Sequence, residues 1–238
     1  MTISITYSMK FDSGLERAFT VVMDHETLDI IPRNPVEPPH WAGLEQCKCP
    51  NCTLDPALHS HCPIALNLHE LIDFLSDLIS YEEVDVTVES NERKYMKRTS
   101  LQSVASSLMG IIMVTSGCPI LNKLRPMVET HLPFSTWEET TYRVVSMYLF
   151  AQYFNRKNGV EPDWDLNGLV SIFDDIEIVN QSFCRRLDLV RTEDSCVNAV
   201  NILSSLGTLT KMIITENDLA HWGDIFTAHY GRDKALGA

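Results

Sequence analysis

The segment from Trp41 to Cys62 constrains this chain more than any other stretch. It reads C-K-C-P-N-C-T-L-D-P-A-L-H-S-H-C-P from Cys47 to Pro63 and has few apolar residues outside the tryptophan and leucines. A stretch this polar cannot order itself by burial, so it needs a cross-link. Cys49 and Cys52 form a C-x-x-C pair, and His59 and Cys62 form an H-x-x-C pair. Two ligands separated by two residues can wrap one small ion, because the tight turn between them presents both side chains to one side. Three thiolates and one imidazole satisfy a tetrahedral zinc ion. Pro50 and Pro63 restrict the chain beside two of these residues. His61 is the alternative nitrogen ligand and Cys47 an alternative sulfur. An iron–sulfur cluster is the other metal reading, but the neighbouring histidines favour zinc. A structural zinc contributes about 10 kcal/mol or more to local folding. Four protein ligands close the site, which argues against catalysis at the metal; three ligands and an open position would argue the reverse.

The chain has seven cysteines, an odd number, and Met1 to Asp12 shows no basic stretch leading into an apolar one. A cytoplasmic protein with metal or thiol chemistry is expected, rather than a disulfide framework. Its 238 residues carry 32 acids against 19 bases, a net charge of −13. That balance lacks the footprint of a nucleic-acid binder and argues against docking on anionic lipid. The least charged stretch, Leu101 to Asn122, is long enough to span a bilayer. Its serines, Gln102 and Pro119 favour a buried helix instead, so no membrane span is expected.

Ile3 to Met9 alternates in polarity, Phe11-Asp12-Ser13-Gly14 is a turn signal, and Arg17 to Met23 is apolar and β-branched. This is a β-hairpin, and Thr27 to Ile31 is a candidate third strand. Four prolines between Pro32 and Pro39 make a stiff connector. A helix is expected over Ile64–Ile79. A second hairpin follows: Val84, Val86 and Val88 alternate with acids, and Arg93 to Arg98 returns basic. Cross-strand ion pairs would help to set its register. Thr99 or Ser100 caps the next helix, which ends near Ser116-Gly117. A short helix over Ile120–Thr130 breaks near Pro126. Ser135-Thr136-Trp137-Glu138 is a capping-box signature for a helix running to Lys157. Leu166–Val190, Asp194–Ile214 and Asn217–Tyr230 show helical spacing.

The expected fold class is therefore α+β: two β-hairpins, able to join into one small antiparallel sheet, a Cys-rich metal loop and a mainly helical body. Four segments are expected: the hairpin unit 1–33, the metal loop 34–63, an α+β core 64–160 with the second hairpin, and a helical region 161–238.

Cys118 lies in T-S-G-C-P at a helix junction. A helix C-terminus raises a thiol pKa, whereas a new helix opening at Ile120 would lower it. With Arg125 and His131 nearby in sequence, Cys118 is a candidate reactive thiol, and equally a packed residue or a further ligand for the metal loop. Cys184 and Cys196 are expected to be packing residues, as are His221, His229 and the aromatic run from Tyr142 to Phe154. His69 and Glu70 lie early in the first helix; surface capping is expected of them, with a position facing the metal loop as the alternative. Neither a phosphate loop nor a G-x-S-x-G nor an H-E-x-x-H is present.

W-A-G-L-E-Q-C-K-C-P-N-C, L-H-S-H-C-P, L-I-S-Y-E-E-V-D-V, S-S-L-M-G-I-I-M-V-T-S-G-C-P and R-P-M-V-E-T-H-L-P-F together resemble a family of uncharacterised bacterial proteins. That family shares C-P-x-C…H-x-x-C-P and T-S-G-C-P motifs, and the resemblance covers most of the chain. It carries over no activity. It implies that Cys49, Cys52, Cys62 and Cys118 belong to the shared pattern, and it weakens Cys47 as a ligand. The leading expectation is a zinc-stabilised binding or adaptor protein that engages a protein partner or self-associates as a homo-oligomer. The alternatives are a thiol-dependent redox or transferase-type enzyme using Cys118, with Arg125 and His131 tuning it, and an iron–sulfur protein.

Overall fold

The computed structural model describes residues 1–32, 37–190, 195–216 and 218–229. Strands β1 (Thr2–Phe11) and β2 (Glu16–Asp24) form the first hairpin, closed where Gly14, at φ +85°, donates its N–H to the Phe11 carbonyl at 2.9 Å. Period-two alternation sends Ile5, Tyr7, Met9 and Phe11 to one face, where they are buried with Phe19, Val21 and Met23. Strands β3 (Glu83–Ser90) and β4 (Lys94–Ser100) form the second hairpin. β1 pairs antiparallel with β3 as well as with β2, giving one sheet of order β2-β1-β3-β4. The two hairpins are thus joined, and the fold is α+β. Arg98 stands opposite Asp85 at 3.4 Å and Lys94 opposite Glu89 at 3.8 Å. All four side chains are exposed, so these pairs help to select the register and add little stability.

The expected third strand shrinks to one bridge between Met23 and Ile30. Asp24 Oδ1 accepts the N–H groups of Glu26 and Thr27, and Leu28 takes a left-handed φ of +58°, so the segment is spent on a turn. Of the expected proline connector, residues 33–36 lie outside the described residues.

Helix α1 (Pro63–Leu75) stops four residues before its apolar pattern does. The Ser76 hydroxyl donates back to the Asp73 carbonyl at 2.8 Å, offering the backbone a local alternative to another turn. Helix α2 (Leu101–Thr115) carries the least charged stretch and fills the middle of the molecule, with Leu101, Val104, Leu108, Met109 and Ile112 fully buried. Gly117, at φ +91°, follows its end. Leu121–Val128 is a 3-10 turn containing Pro126.

Helix α3 (Trp137–Lys157) begins with a capping box one residue later than the sequence suggests. Glu139 donates its N–H to Thr136 Oγ1 at 3.3 Å, and Thr136 donates its own to Glu139 Oε2 at 2.8 Å. The shift follows from Phe134, whose left-handed φ of +58° turns the chain so that Thr136 becomes the extended capping residue. Replacing Thr136 with alanine is expected to cost about 1 kcal/mol, roughly 2–4 °C in thermal midpoint, and Glu138→Ala next to nothing. Thermal unfolding of both variants checks which residue caps.

Helices α4 (Asn167–Leu187) and α5 (Ser195–Thr215) follow, and the expected final helix is divided into α6 (Ala220–Gly223) and a 3-10 turn over Asp224–His229. By length and composition, Cys196–Thr215 is the one helix among the described residues apolar enough to cross a membrane. It packs here against α2 and α4, burying Cys196, Ala199 and Val200. A single hydrophobic cluster runs from Ile5 to Val200, through the inner sheet face and helices α1, α2, α4 and α5. The four segments read from the sequence share this core.

Candidate metal centre

The cysteine loop is closed at its base by its own backbone. Leu44 donates its N–H to the Ser60 carbonyl at 2.9 Å and Cys62 to that of Ala42 at 2.8 Å, with a bridge between Gly43 and His61. Arg186 of α4 holds this base from beneath. Its guanidinium is only 2% exposed and donates to the carbonyls of Trp41 (2.5 Å), Gly43 (2.7 Å), Cys47 (2.9 Å) and Leu44 (3.4 Å). Further along α4, Asp175 accepts the Asn51 amide on its carbonyl at 3.0 Å and on Oδ1 at 3.2 Å. The Ser182 hydroxyl lies against the Cys49 thiol. Residues 175, 182 and 186 sit on one helical face, so α4 is the floor of the loop. Sequence reading missed these residues; the available signal was an arginine, a serine and Asn180 set into an otherwise apolar face.

Above that floor, cysteines from three parts of the chain approach one another. Cys52 donates its N–H to the Cys49 carbonyl at 3.0 Å, so the C-x-x-C pair forms the tight turn expected of it. Cys62 is the residue before α1, and Cys118 follows the end of α2. Asn67 joins these two helix ends, its amide donating to the carbonyls of Pro63 (2.8 Å) and Ser116 (3.4 Å). Burial pushes the Cys49 thiol up to about 11, and negative charge on Cys62, Cys52 and Cys118 adds to the rise. Cys118 is likewise raised, first by burial and then by Cys62 and Cys52. All seven cysteines are free thiols. Among the described residues, no three His, Cys, Asp or Glu side chains are arranged as they stand to hold a metal ion.

The other candidate ligands make contacts of their own. His59 is exposed and its N–H is bound to the Asp55 carbonyl at 2.9 Å. His61 is half-buried, with Nδ1 2.8 Å from the Ser60 hydroxyl. Cys47 is half-buried and gives its carbonyl to Arg186. Arg125 pairs with Asp29, and His131 with Tyr7, so each has a partner other than Cys118. A raised Cys118 pKa is also the opposite of what a nucleophilic thiolate requires. Cys196 is buried and Cys184 half-buried among core residues. His69 Nδ1 meets the Leu66 carbonyl at 2.7 Å. The His221 side chain lies outside the described residues, and His229 is exposed.

His131 belongs to a second polar cluster. The Tyr7 hydroxyl is 2.7 Å from His131 Nε2 and 2.6 Å from Ser107 Oγ. One arrangement satisfies all three groups: Ser107 donates to Tyr7, and Tyr7 donates to a neutral His131. Burial and the nearby Arg143 guanidinium lower the His131 pKa to about 4. Between pH 4 and 6.5 the unfolded chain therefore binds a proton at this position that the folded chain refuses. Stability from His131 is complete above pH 6.5 and falls as the pH drops toward 4, by about 3 kcal/mol in all. Urea unfolding at pH 7 and pH 4.5 should show His131→Gln losing less stability on acidification than the parent chain.

No curated protein and no solved structure matches the chain. The family model described as a domain of unknown function, DUF6901, matches residues 5–226. The match takes in the sheet, the cysteine loop and helices α1 to α6, and by that coverage the chain belongs to the DUF6901 family.

Proposed function

We propose that this protein is a binding or adaptor protein organised by a structural zinc ion, with Cys49, Cys52, Cys62 and Cys118 as its ligands. The observation that carries the reading is that the free thiols of Cys49, Cys52, Cys62 and Cys118, from three chain segments, lie near enough to act on one another electrostatically. Burial raises the Cys49 and Cys118 thiols first, and the neighbouring cysteines add to the resistance to ionisation in the absence of a cation. A divalent ion reverses that balance, because a coordinating thiol loses its proton and the metal charge offsets the gathered negative charge. Cys118 replaces His59 in the ligand set because it is buried and within electrostatic reach of Cys62 and Cys52, while His59 is exposed. Four thiolates leave the ion no open position, so its role is structural. Reduced thiols of this kind fit a cytoplasmic setting.

The binding role draws on the surface of α3. Phe150, Tyr153 and Phe154 are exposed and pack on one another, with ring centroids 5.0 to 6.2 Å apart. Exposed aromatic clusters of this type suit a protein partner or a second copy of the chain. Elemental analysis of protein purified without added metal tests the site. One equivalent of zinc per chain is expected. Iron with a brown colour would replace zinc by an iron–sulfur cluster, and a folded chain holding neither metal would end the proposal.

A further inference from the structure

We infer that the cavity between α2, the 127–135 segment and α5 binds a small organic carboxylate with an apolar body. The cavity measures about 330 Å³, within the size range of small-molecule sites. Ser103, Ser107 and Gly110, spaced along one face of α2, leave room there that larger side chains would fill. Ile111, Leu124, Met127, Leu203 and Leu206 supply apolar wall.

The charge of the lining selects the ligand. The chain carries 32 acids and a net charge of −13, yet among the described residues no Asp or Glu lines this cavity, while Lys97 and Arg143 both do. Lys97 sits over the Phe134 ring at 5.7 Å, and no carboxylate pairs with it among the described residues. Arg143 Nη2 donates to the carbonyls of Met127 (2.9 Å) and Thr130 (2.7 Å), which fixes the guanidinium in place. Its Nε is buried and has no hydrogen-bond partner. Glu139, one turn before Arg143, is engaged in the α3 cap. The cavity wall thus carries a guanidinium held in place and an ammonium with no carboxylate partner among the described residues, and a ligand carboxylate can pair with both by charge-assisted bonds. Arg143 and Lys97 thus supply the cationic half of the recognition, and the α2 and α5 side chains supply the apolar half. The inference is independent of the proposed zinc site, none of whose four cysteines lines this cavity.

Isothermal titration of the full chain with octanoate and with octan-1-ol tests this. Saturable 1:1 binding of octanoate is expected, roughly tenfold tighter than the alcohol, since the two differ only in the charged head. Lys97→Met, at an exposed position, should narrow that preference without changing the thermal midpoint, and Arg143→Met should reduce it further. Equal affinity for the alcohol, an absence of saturation by octanoate, or an unchanged preference in a folded Lys97→Met variant would each overturn the inference.

Discussion

Serine at Cys49, Cys52, Cys62 or Cys118 is expected to reduce bound zinc to well below one equivalent, while His59→Ala leaves it at one. A serine hydroxyl is nearly isosteric with the thiol but is not ionised near neutral pH. It therefore removes the ligand while leaving the packing almost intact. The Cys49→Ser and Cys52→Ser variants are cleaner than the other two, because Cys49 and Cys52 are half-buried while Cys62 and Cys118 are buried. Structural zinc contributes about 10 kcal/mol to a site of this kind, so metal loss should lower the thermal midpoint by something like 20 °C. Chelator should reproduce that drop in the parent chain and have little effect on the serine variants. A zinc content that follows His59 instead of Cys118 would move the fourth ligand back into the loop. Unchanged stability in chelator would mean that the loop orders itself through Arg186 and its backbone bonds alone.

Arg186→Leu is expected to be the most damaging single change outside the cysteines. The leucine keeps most of the buried apolar contact and removes the donors that reach four carbonyls of the loop base. Buried carbonyls left without donors cost far more than an average hydrogen bond contributes. A loss of about 4 kcal/mol follows, near 10 °C in thermal midpoint for a chain of this size. Arg186→Lys should recover little of it, because one ammonium cannot reproduce the planar fork that spans these carbonyls. The neighbouring Arg185 is exposed, so Arg185→Leu is the matched control and should be close to neutral. Urea unfolding of the three variants measures the difference. A fall in zinc content in Arg186→Leu would tie the floor of the loop to the ion above it.

Both predictions concern a region that the sequence only half discloses. The C-x-x-C turn, with Cys52 bonded to the Cys49 carbonyl, was legible because its four residues form a local unit. Cys62 was legible for a similar reason, standing beside Pro63 at the start of an apolar helical pattern. The approach of Cys118 is a different kind of fact. It depends on α2 running through the core so that its far end meets the beginning of α1, a contact across 49 residues between Asn67 and Ser116. Arg186 is further still, more than 130 residues from the carbonyls it holds. Spacing rules have no reach over such separations.

The strands and helices divide along the same line. Alternation identified both hairpins, and the acidic and basic strands led to the expectation of cross-strand ion pairs, of which Arg98 with Asp85 is one. Elements went astray where a single side chain or dihedral overruled the pattern: Ser76 ended α1 early, Phe134 moved the α3 cap by one residue, and Leu28 turned a strand into a bend.

Local chemistry was thus written in the residue order: which segments pleat, which coil, and that a thiol-rich loop needs help to become ordered. Only the folded chain decided which distant groups supply that help, and that the cations of an acidic protein line one of its cavities. The reason is physical. Hydrogen bonds of turns and periodic burial act between near neighbours, whereas a shared core brings together residues whose separation along the chain carries no trace of their meeting.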